Sequence, residues 1–273
     1  MRLALSEIST VNATFAEDVV AYAAAGFDAI GIWEFKLPDD DEANRALLRK
    51  HGLAVANCVP AVPTILQLAI PGLEGPEDPK ERINALCSSI TRLAAYEPEA
   101  VLCLTGPLGD RTPAEGRATV VEGLRHVATA AVAAGVPLAL EPAHRTQRET
   151  ASFVTSIEES IALLHEAGLD DVSLLLDVYH VWDDPALLDL IARASYRIAG
   201  VHVSDWPLEA GRTDRVLPGE GIGRTKEIVD ALALSGWDGS LDVEIFSEPD
   251  RFWALPVDEA ARLAFAAASA LVA

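Results

Sequence analysis

A short apolar run of strand type recurs along the chain, and a helical stretch ending in glycine precedes most of these runs. Glycine just beyond a helix closes the last turn, because it adopts the left-handed conformation at little cost. Five glycines stand in this place: Gly26, Gly52, Gly135, Gly168 and Gly236. The runs predict eight strands, at residues 3–5, 27–32, 53–56, 100–104, 136–140, 172–176, 198–201 and 241–245. Eight parallel strands that alternate with helices can close into a barrel.

The predicted helices carry their own start signals. Thr14 with Glu17, and Thr155 with Glu158, have the spacing of a capping box, in which each side chain satisfies a free backbone N–H. The strand runs are continuously apolar, which is typical of a parallel sheet covered on both faces. We therefore predict an α/β fold, a single (β/α)8 TIM barrel, as one domain over residues 1–273. A doubly wound sheet would need a Gly-rich first turn, which residues 6–10 lack.

Composition and charge exclude several classes of partner. The chain has 21 basic and 42 acidic side chains and a formal charge of −21, which disfavours nucleic acids and anionic membranes. Cys58, Cys87 and Cys103 form an odd set without a close pair, so we expect no disulfide framework. Charged residues near the start interrupt any apolar stretch of the kind found in a signal peptide. No apolar run approaches the ~18 residues of a membrane span. We expect a cytoplasmic protein with neither a nucleic acid nor a membrane as partner.

Acidic and imidazole side chains stand at the ends of four successive predicted strands. Glu141 ends the fifth strand, Asp177 the sixth and Glu244 the eighth. His202 falls at or just after the seventh. Unpaired buried carboxylates are costly, so a cation shared among them is favoured over separate pairing with rim arginines. Three carboxylates and one imidazole form a mostly oxygen donor set. The sequence therefore predicts one divalent metal ion, Mn²⁺ or Mg²⁺, with Co²⁺ or Zn²⁺ as alternatives.

Further polar and aromatic residues are predicted at the same mouth of the barrel. His144 and His180 follow the fifth and sixth strands, and three tryptophans lie near strand ends or in the loops beyond them: Trp33, Trp182 and Trp206. An indole ring packs well against the C–H face of a sugar, so these residues predict a pocket for a polyol. Simple packing at the barrel rim is the alternative for each tryptophan.

Four segments of the chain resemble the sugar phosphate isomerase/epimerase family of the xylose isomerase-like barrel superfamily. They are residues 138–142 (LALEP), 175–182 (LLDVYHVW), 201–206 (VHVSDW) and 243–246 (VEIF). The family includes ketose 3-epimerases, inosose isomerases and inosose dehydratases. The resemblance implies that one divalent metal is bound by Glu141, Asp177, His202 and Glu244. It also implies that His180 and Arg215 bind the substrate, and that the chain forms a homodimer or homotetramer.

The chemistry implied by such a site is proton transfer beside a carbonyl. A divalent ion that chelates two neighbouring substrate oxygens polarises the carbonyl and makes the adjacent C–H acidic. Glu141 and Glu244 come from non-adjacent strands, so one is predicted as general base and the other as general acid on the metal-held enediolate. We therefore expect a metal-dependent isomerase or epimerase of a keto-sugar or keto-inositol.

Two groups of alternatives use the same barrel. A lyase would lose a β-substituent from the same intermediate, either as an inosose-type dehydratase or by eliminating the aglycone of a 3-oxo-glycoside. A nuclease of the superfamily would need a basic groove and a His-rich site for several metals, and the sequence has neither. A non-catalytic barrel would be expected to have lost a ligand, whereas all four ligand types are present.

Overall fold

The computed structural model of the chain describes residues 1–70, 73–209, 211–212 and 214–273. Within these ranges the strands are β1 (Arg2–Ser6), β2 (Ala29–Trp33), β3 (Ala54–Val59), β4 (Ala100–Cys103), β5 (Leu138–Leu140), β6 (Ser173–Asp177), β7 (Ile198–Val203) and β8 (Ser240–Val243). Each strand pairs in parallel with the next, and β8 pairs with β1. The predicted (β/α)8 TIM barrel is confirmed.

Helices connect the strands and form the outer layer of the barrel. In the described part of the chain they are α1 (Phe15–Ala25), α2 (Asp41–His51), α3 (Pro79–Leu93), α4 (Pro113–Ala134), α5 (Ile157–Ala167), α6 (Val178–Val181), α7 (Leu187–Ala194), α8 (Thr225–Leu234) and α9 (Val257–Val272). The short helix α6 follows β6 without a loop, so it lies at the rim where a barrel of this kind carries its chemistry.

Side-chain hydrogen bonds decide where the helices begin. The capping box of α1 is confirmed, because Thr14 Oγ1 accepts from the Glu17 backbone N–H and Glu17 Oε2 accepts from that of Thr14. The prediction for α5 was wrong by one residue. Ser156, rather than Thr155, is its N-cap and accepts from the backbone N–H of Glu159 at 3.1 Å.

The continuously apolar strands supply two packed layers. Successive side chains of a strand point to opposite faces, so every second residue faces the helices and the others face the barrel interior. On β5, Leu140 belongs to the large hydrophobic layer beneath the helices, whereas Ala139 packs inside the barrel with Leu102 and Leu175. This alternation turns the residue after β5, Glu141, into the barrel mouth.

The chain contains no sign of a membrane helix in the ranges that the structure describes. None of the described helices is long and apolar enough to cross a bilayer. Cys58, Cys87 and Cys103 are free thiols.

Candidate metal and substrate site

Four neighbouring strands deliver the predicted ligands to one rim. Glu141 follows β5 directly, Asp177 is the last residue of β6, and Glu244 follows β8 directly. His202 lies on β7 in register with Asp177 on β6. All four side chains are removed from solvent: the exposed fractions of Glu141, Asp177, His202 and Glu244 are 5, 0, 1 and 3 %. The parallel strands, which end together, account for this convergence.

The imidazole of His202 lies between the carboxylates. Its Nδ1 atom is 3.6 Å from Glu141 Oε1 and 3.4 Å from Glu244 Oε2. Glu141, Asp177 and His202 each offer one ligand atom, and these three atoms lie within 4.8 Å of one another. The structure therefore brings the four predicted ligands into a single cluster.

Arg215 is packed against this cluster. Its Nη1 atom is 2.7 Å from Asp177 Oδ2 and 2.8 Å from Glu244 Oε2. The guanidinium carbon is 4.8 Å from the ring centre of Tyr179 and 4.9 Å from that of Phe246, which are distances of cation–π contacts. Arg215 thus joins two of the carboxylates and is itself 6 % exposed.

The donor set fits a divalent cation. Among the described residues, neither ring nitrogen of His202 has a hydrogen-bond partner, although the residue is buried. A buried polar atom without a partner is costly and calls for an explanation. A cation held by His202 Nδ1 and the surrounding carboxylate oxygens would give this ring nitrogen its missing partner. Three carboxylates and an imidazole suit Mn²⁺, Mg²⁺ or Zn²⁺.

The electrostatics of the cluster also favour added positive charge. Burial raises the pKa of Glu141 to about 7, against the lowering effect of His202. Burial by itself would lower the pKa of His202, but the surrounding carboxylates, Glu244 first, raise this pKa to about 10. Protons are therefore retained where carboxylates crowd together without enough countercharge. A divalent ion would replace those protons.

A cavity of about 450 Å³ opens onto the cluster. Its lining includes the acidic and basic side chains of Glu141, His180, Arg215 and Glu244. Most of the remaining lining is apolar and comes from strand ends and loops: Trp33, Phe35, Val59, Pro60, Leu68, Ile70, Leu73, Leu102, Leu104 and Phe246. The volume lies in the range of small-molecule sites, about 300–1,000 Å³.

Three of the residues predicted to bind substrate, Trp33, His180 and Arg215, line this cavity. The ring of Trp33 is held in place from β1 and the turn after it. Its Nε1–H donates to Ser6 Oγ at 3.0 Å, and its backbone N–H donates to Glu7 Oε2 at 2.9 Å. A ring fixed in this way presents a rigid face to a ligand.

The other three predicted substrate residues, His144, Trp182 and Trp206, form an aromatic cluster centred on Trp206, which also stacks on Tyr179. Trp206 lies 4.6 Å from Tyr179, 4.5 Å from His144 and 6.0 Å from Trp182, measured between ring centres. Tyr179 lines the cavity, whereas none of these three is among the described residues that do so. In this arrangement they support the cavity wall, and direct substrate contact stays a prediction.

Asp242 is a buried acid that was not among the predicted site residues. It lies on β8, two residues before Glu244, is 0 % exposed, and places Oδ2 at 3.7 Å from His202 Nε2. The signal was present, because an acid two residues before Glu244 in an apolar strand must share the inner face. Apolar residues of the loop between β3 and α3, such as Leu68 and Ile70, also line the cavity.

Comparison with known proteins assigns the fold to a family. The model of the family described as xylose isomerase-like TIM barrel matches residues 19–268. The chain belongs to this family. The resemblance found in the sequence is thereby confirmed at the level of the superfamily.

Three similar proteins illustrate the match to this family. D-psicose 3-epimerase of Ruminiclostridium cellulolyticum is 28 % identical over 235 residues, which cover 82 % of this chain and 75 % of that protein. The crystal structure of protein SMc04130 from Sinorhizobium meliloti 1021 has 27 % identity and a TM-score of 0.85, with 98 % of each chain covered. A structure of the IolI protein with a zinc atom has a TM-score of 0.79 at 20 % identity, covers 100 % of this chain and 98 % of its own, and shows the shared fold.

Proposed function

We propose that this xylose isomerase-like barrel is a divalent-metal-dependent isomerase or epimerase of a keto-sugar or keto-inositol. The observation that carries the proposal is the cluster of Glu141, Asp177, His202 and Glu244 at the end of a cavity of small-molecule size. The similarity to a protein named as a D-psicose 3-epimerase supports the same class of reaction. We propose Mn²⁺ or Mg²⁺ as the ion, with Co²⁺ or Zn²⁺ as alternatives.

The metal ligands are proposed to be Glu141, Asp177, His202 and Glu244. A bound divalent ion would act as a Lewis acid on the substrate carbonyl and make the neighbouring C–H acidic. Its site is shaped by the chain before any ion arrives, because each ligand sits on or directly after a strand of a closed barrel.

Proton transfer is assigned to Glu141 and Glu244. Both line the cavity, and they approach His202 Nδ1 from β5 and β8, which are not neighbours in the barrel. One carboxylate oxygen takes the proton beside the carbonyl, and the other carboxyl group returns a proton. Return to the opposite face of the same carbon gives epimerisation, and return to the adjacent carbon gives isomerisation.

His180 and Arg215 are assigned to holding the substrate oxygens. The guanidinium of Arg215 contacts the rings of both Tyr179 and Phe246, so its orientation is restricted. His180 Nε2 lies 3.5 Å from Asp177 Oδ2, and burial lowers the pKa of this histidine well below its usual value. A neutral imidazole beside a ligand can donate one hydrogen bond and accept another.

The test is hydrogen exchange with solvent. Metal-loaded protein is incubated in deuterated water with ketohexoses and inososes, and the products are followed by NMR. Deuterium beside the carbonyl, with epimerised or isomerised sugar, is the expected result. The Glu244→Gln variant should show little exchange. Failure of every ketose and inosose to exchange, with the metal bound, would contradict the proposal.

The apolar cavity wall favours a second candidate, a lyase on the same site. A sugar can pack its C–H face on Trp33, but side chains such as Phe35, Leu68 and Ile70 offer its hydroxyl groups no hydrogen-bond partner. An aglycone attached to the sugar would fit that wall. The candidates are elimination of the aglycone of a 3-oxo-glycoside and, without an aglycone, dehydration of an inosose. The same incubation with 3-oxo-glycosides distinguishes them, since release of aglycone occurs only in the former.

A further inference from the structure

Two polar side chains lie inside the barrel beneath the proposed metal site, where the other described interior residues are mostly apolar. Asp242 on β8 is 0 % exposed and Asn57 on β3 is 1 % exposed. Asn57 Nδ2 donates to Asp242 Oδ2 at 3.5 Å. A carboxylate buried so deeply costs free energy unless it interacts with a cationic or hydrogen-bonding group.

His202 is the partner that the geometry offers to Asp242. The two residues are in register on β7 and β8, and His202 Nε2 is 3.7 Å from Asp242 Oδ2. The other ring nitrogen, Nδ1, faces Glu141 and Glu244 at 3.6 and 3.4 Å. The imidazole therefore lies between two acidic environments. A movement of roughly 0.5–1 Å would bring Nε2 and Oδ2 to hydrogen-bond distance.

Two glycines make room for these polar side chains. A Cβ atom on Gly31 of β2 would lie 2.1 Å from Asp242 Oδ2, and one on Gly200 of β7 would lie 2.0 Å from Asn57 Oδ1. Any larger residue at either position would displace the polar group. The barrel is thus shaped around Asp242 and Asn57 by residues on two further strands.

We propose that Asp242 is a positioning residue for His202. It accepts the Nε2–H of the imidazole, which leaves the Nδ1 lone pair directed at the metal site, while Asn57 orients the carboxylate. A carboxylate behind a metal-binding histidine fixes the tautomer and raises the basicity of the ligand, and its loss costs about 10–100-fold in metal affinity or activity. This inference rests on the proposed metal function.

The first test measures Mn²⁺ affinity by competition with a fluorescent chelator. Asp242→Asn is expected to weaken Mn²⁺ binding by about 10–100-fold. Its metal-free melting temperature should stay within about 3 °C of wild type, which corresponds to roughly 1 kcal/mol. A structural role alone would instead lower the melting temperature. Unchanged Mn²⁺ affinity in Asp242→Asn would overturn the proposal.

A second variant acts without changing either partner. Gly31→Ala should displace the Asp242 carboxylate, and we expect it to weaken Mn²⁺ binding in the same range. Ser240→Ala is the matched control. Ser240 lies two residues before Asp242 on the same strand, is 0 % exposed and donates to Glu99 rather than to His202. Equal loss of affinity in the control would refute the specific role of Asp242.

The tautomer of His202 gives a readout that a structural role would not change. In Zn²⁺-loaded wild-type protein, long-range proton–nitrogen NMR should show a slowly exchanging proton on His202 Nε2. Asp242→Leu, which removes the acceptor, should lose that signal. Persistence of the signal would overturn the inference and leave the proposed function standing. Failure of the wild-type protein to bind any divalent ion would overturn both.

Discussion

Arg215 and a divalent metal ion should compete for the same carboxylates at the site. In the described structure Arg215 Nη1 contacts Asp177 Oδ2 at 2.7 Å and Glu244 Oε2 at 2.8 Å, and all three residues are buried. Replacing Arg215 by Met keeps much of its apolar bulk but leaves two carboxylates without this countercharge. The metal-free protein should therefore become less stable, while the metal gains affinity because a competing cation is gone.

The size of the effect follows from the burial of the pair. Removal of one partner of a buried ion pair costs about 3–5 kcal/mol. For a chain of this size that loss lowers the melting temperature by about 2–3 °C per kcal/mol, or about 6–15 °C. Binding of Mn²⁺ at high concentration should restore much of the loss, because a ligand stabilises the state that binds it.

The assay is thermal unfolding of Arg215→Met in a chelator and in increasing Mn²⁺. We expect a low melting temperature in the chelator and a rise with Mn²⁺ that exceeds the wild-type rise. Arg212→Met is the matched control, since Arg212 lies on the same loop but pairs with Asp214 at a partly exposed position, which is worth about 1 kcal/mol or less. A metal-free Arg215→Met protein as stable as wild type, or one that binds Mn²⁺ more weakly, would refute the reasoning.

Three further predictions concern the proton-transfer residue and the buried charges near the barrel mouth. Glu244→Gln should lower kcat by about 10²–10⁴-fold, measured by deuterium exchange with a substrate, and full activity would remove Glu244 from catalysis. Lys36→Met should lower the free energy of unfolding in urea by about 3–5 kcal/mol, because Lys36 is the countercharge of the buried Asp18, and the double variant with Asp18→Asn should recover most of the loss. Burial raises the pKa of Glu7 in the folded protein well above its usual value. The protonated Glu7 side chain therefore contributes fully to stability below the unfolded-state pKa, and this contribution is lost as the pH rises through the folded-state pKa. Urea unfolding between pH 5 and 8 should therefore show a smaller decline with pH for Glu7→Gln than for wild type, and equal slopes would contradict this assignment.

The buried charges near the mouth connect stability to the site. Lys36 Nζ donates to the backbone carbonyls of Glu7 and Thr10 at 3.1 and 2.9 Å, and it pairs with Asp18. The Glu7 side chain in turn accepts from the backbone N–H of Trp33, which lines the cavity. Loosening this network should therefore affect the cavity wall as well as the free energy of unfolding.

The barrel could be predicted from sequence because its signals are local and repeated. Glycines such as Gly26 and Gly135 end helices through their own positive φ, and apolar runs form strands wherever both faces are covered. The exact residue at which a helix begins is harder to predict, because two neighbouring residues can each be able to serve as the N-cap. The N-cap of α5 is Ser156 rather than Thr155 for this reason, since both residues carry a suitable hydroxyl.

The candidate ligands could also be predicted from sequence. A carboxylate at the end of a buried strand needs a partner, and the strand ends of a barrel meet at one mouth. Asp242 follows from the same rule, but its partner does not, because only the pairing of β7 with β8 sets it beside His202. Local sequence patterns also could not predict which aromatic residues line the cavity and which pack behind its wall. Trp33 lines the cavity while Trp206 stacks on Tyr179, although one is the last residue of a strand and the other lies three residues beyond a strand end.

The sequence by itself determined the number of strands, the residue types at the barrel mouth and the excess of acid over base. Those features depend on hydrophobic pattern and local turn chemistry, which neighbouring residues specify. Only the tertiary structure decided that Arg215 reaches across to Asp177, that Gly31 leaves space for Asp242, and that the cavity wall is apolar. These are contacts between residues far apart in the chain, and closure of the barrel is what brings them together.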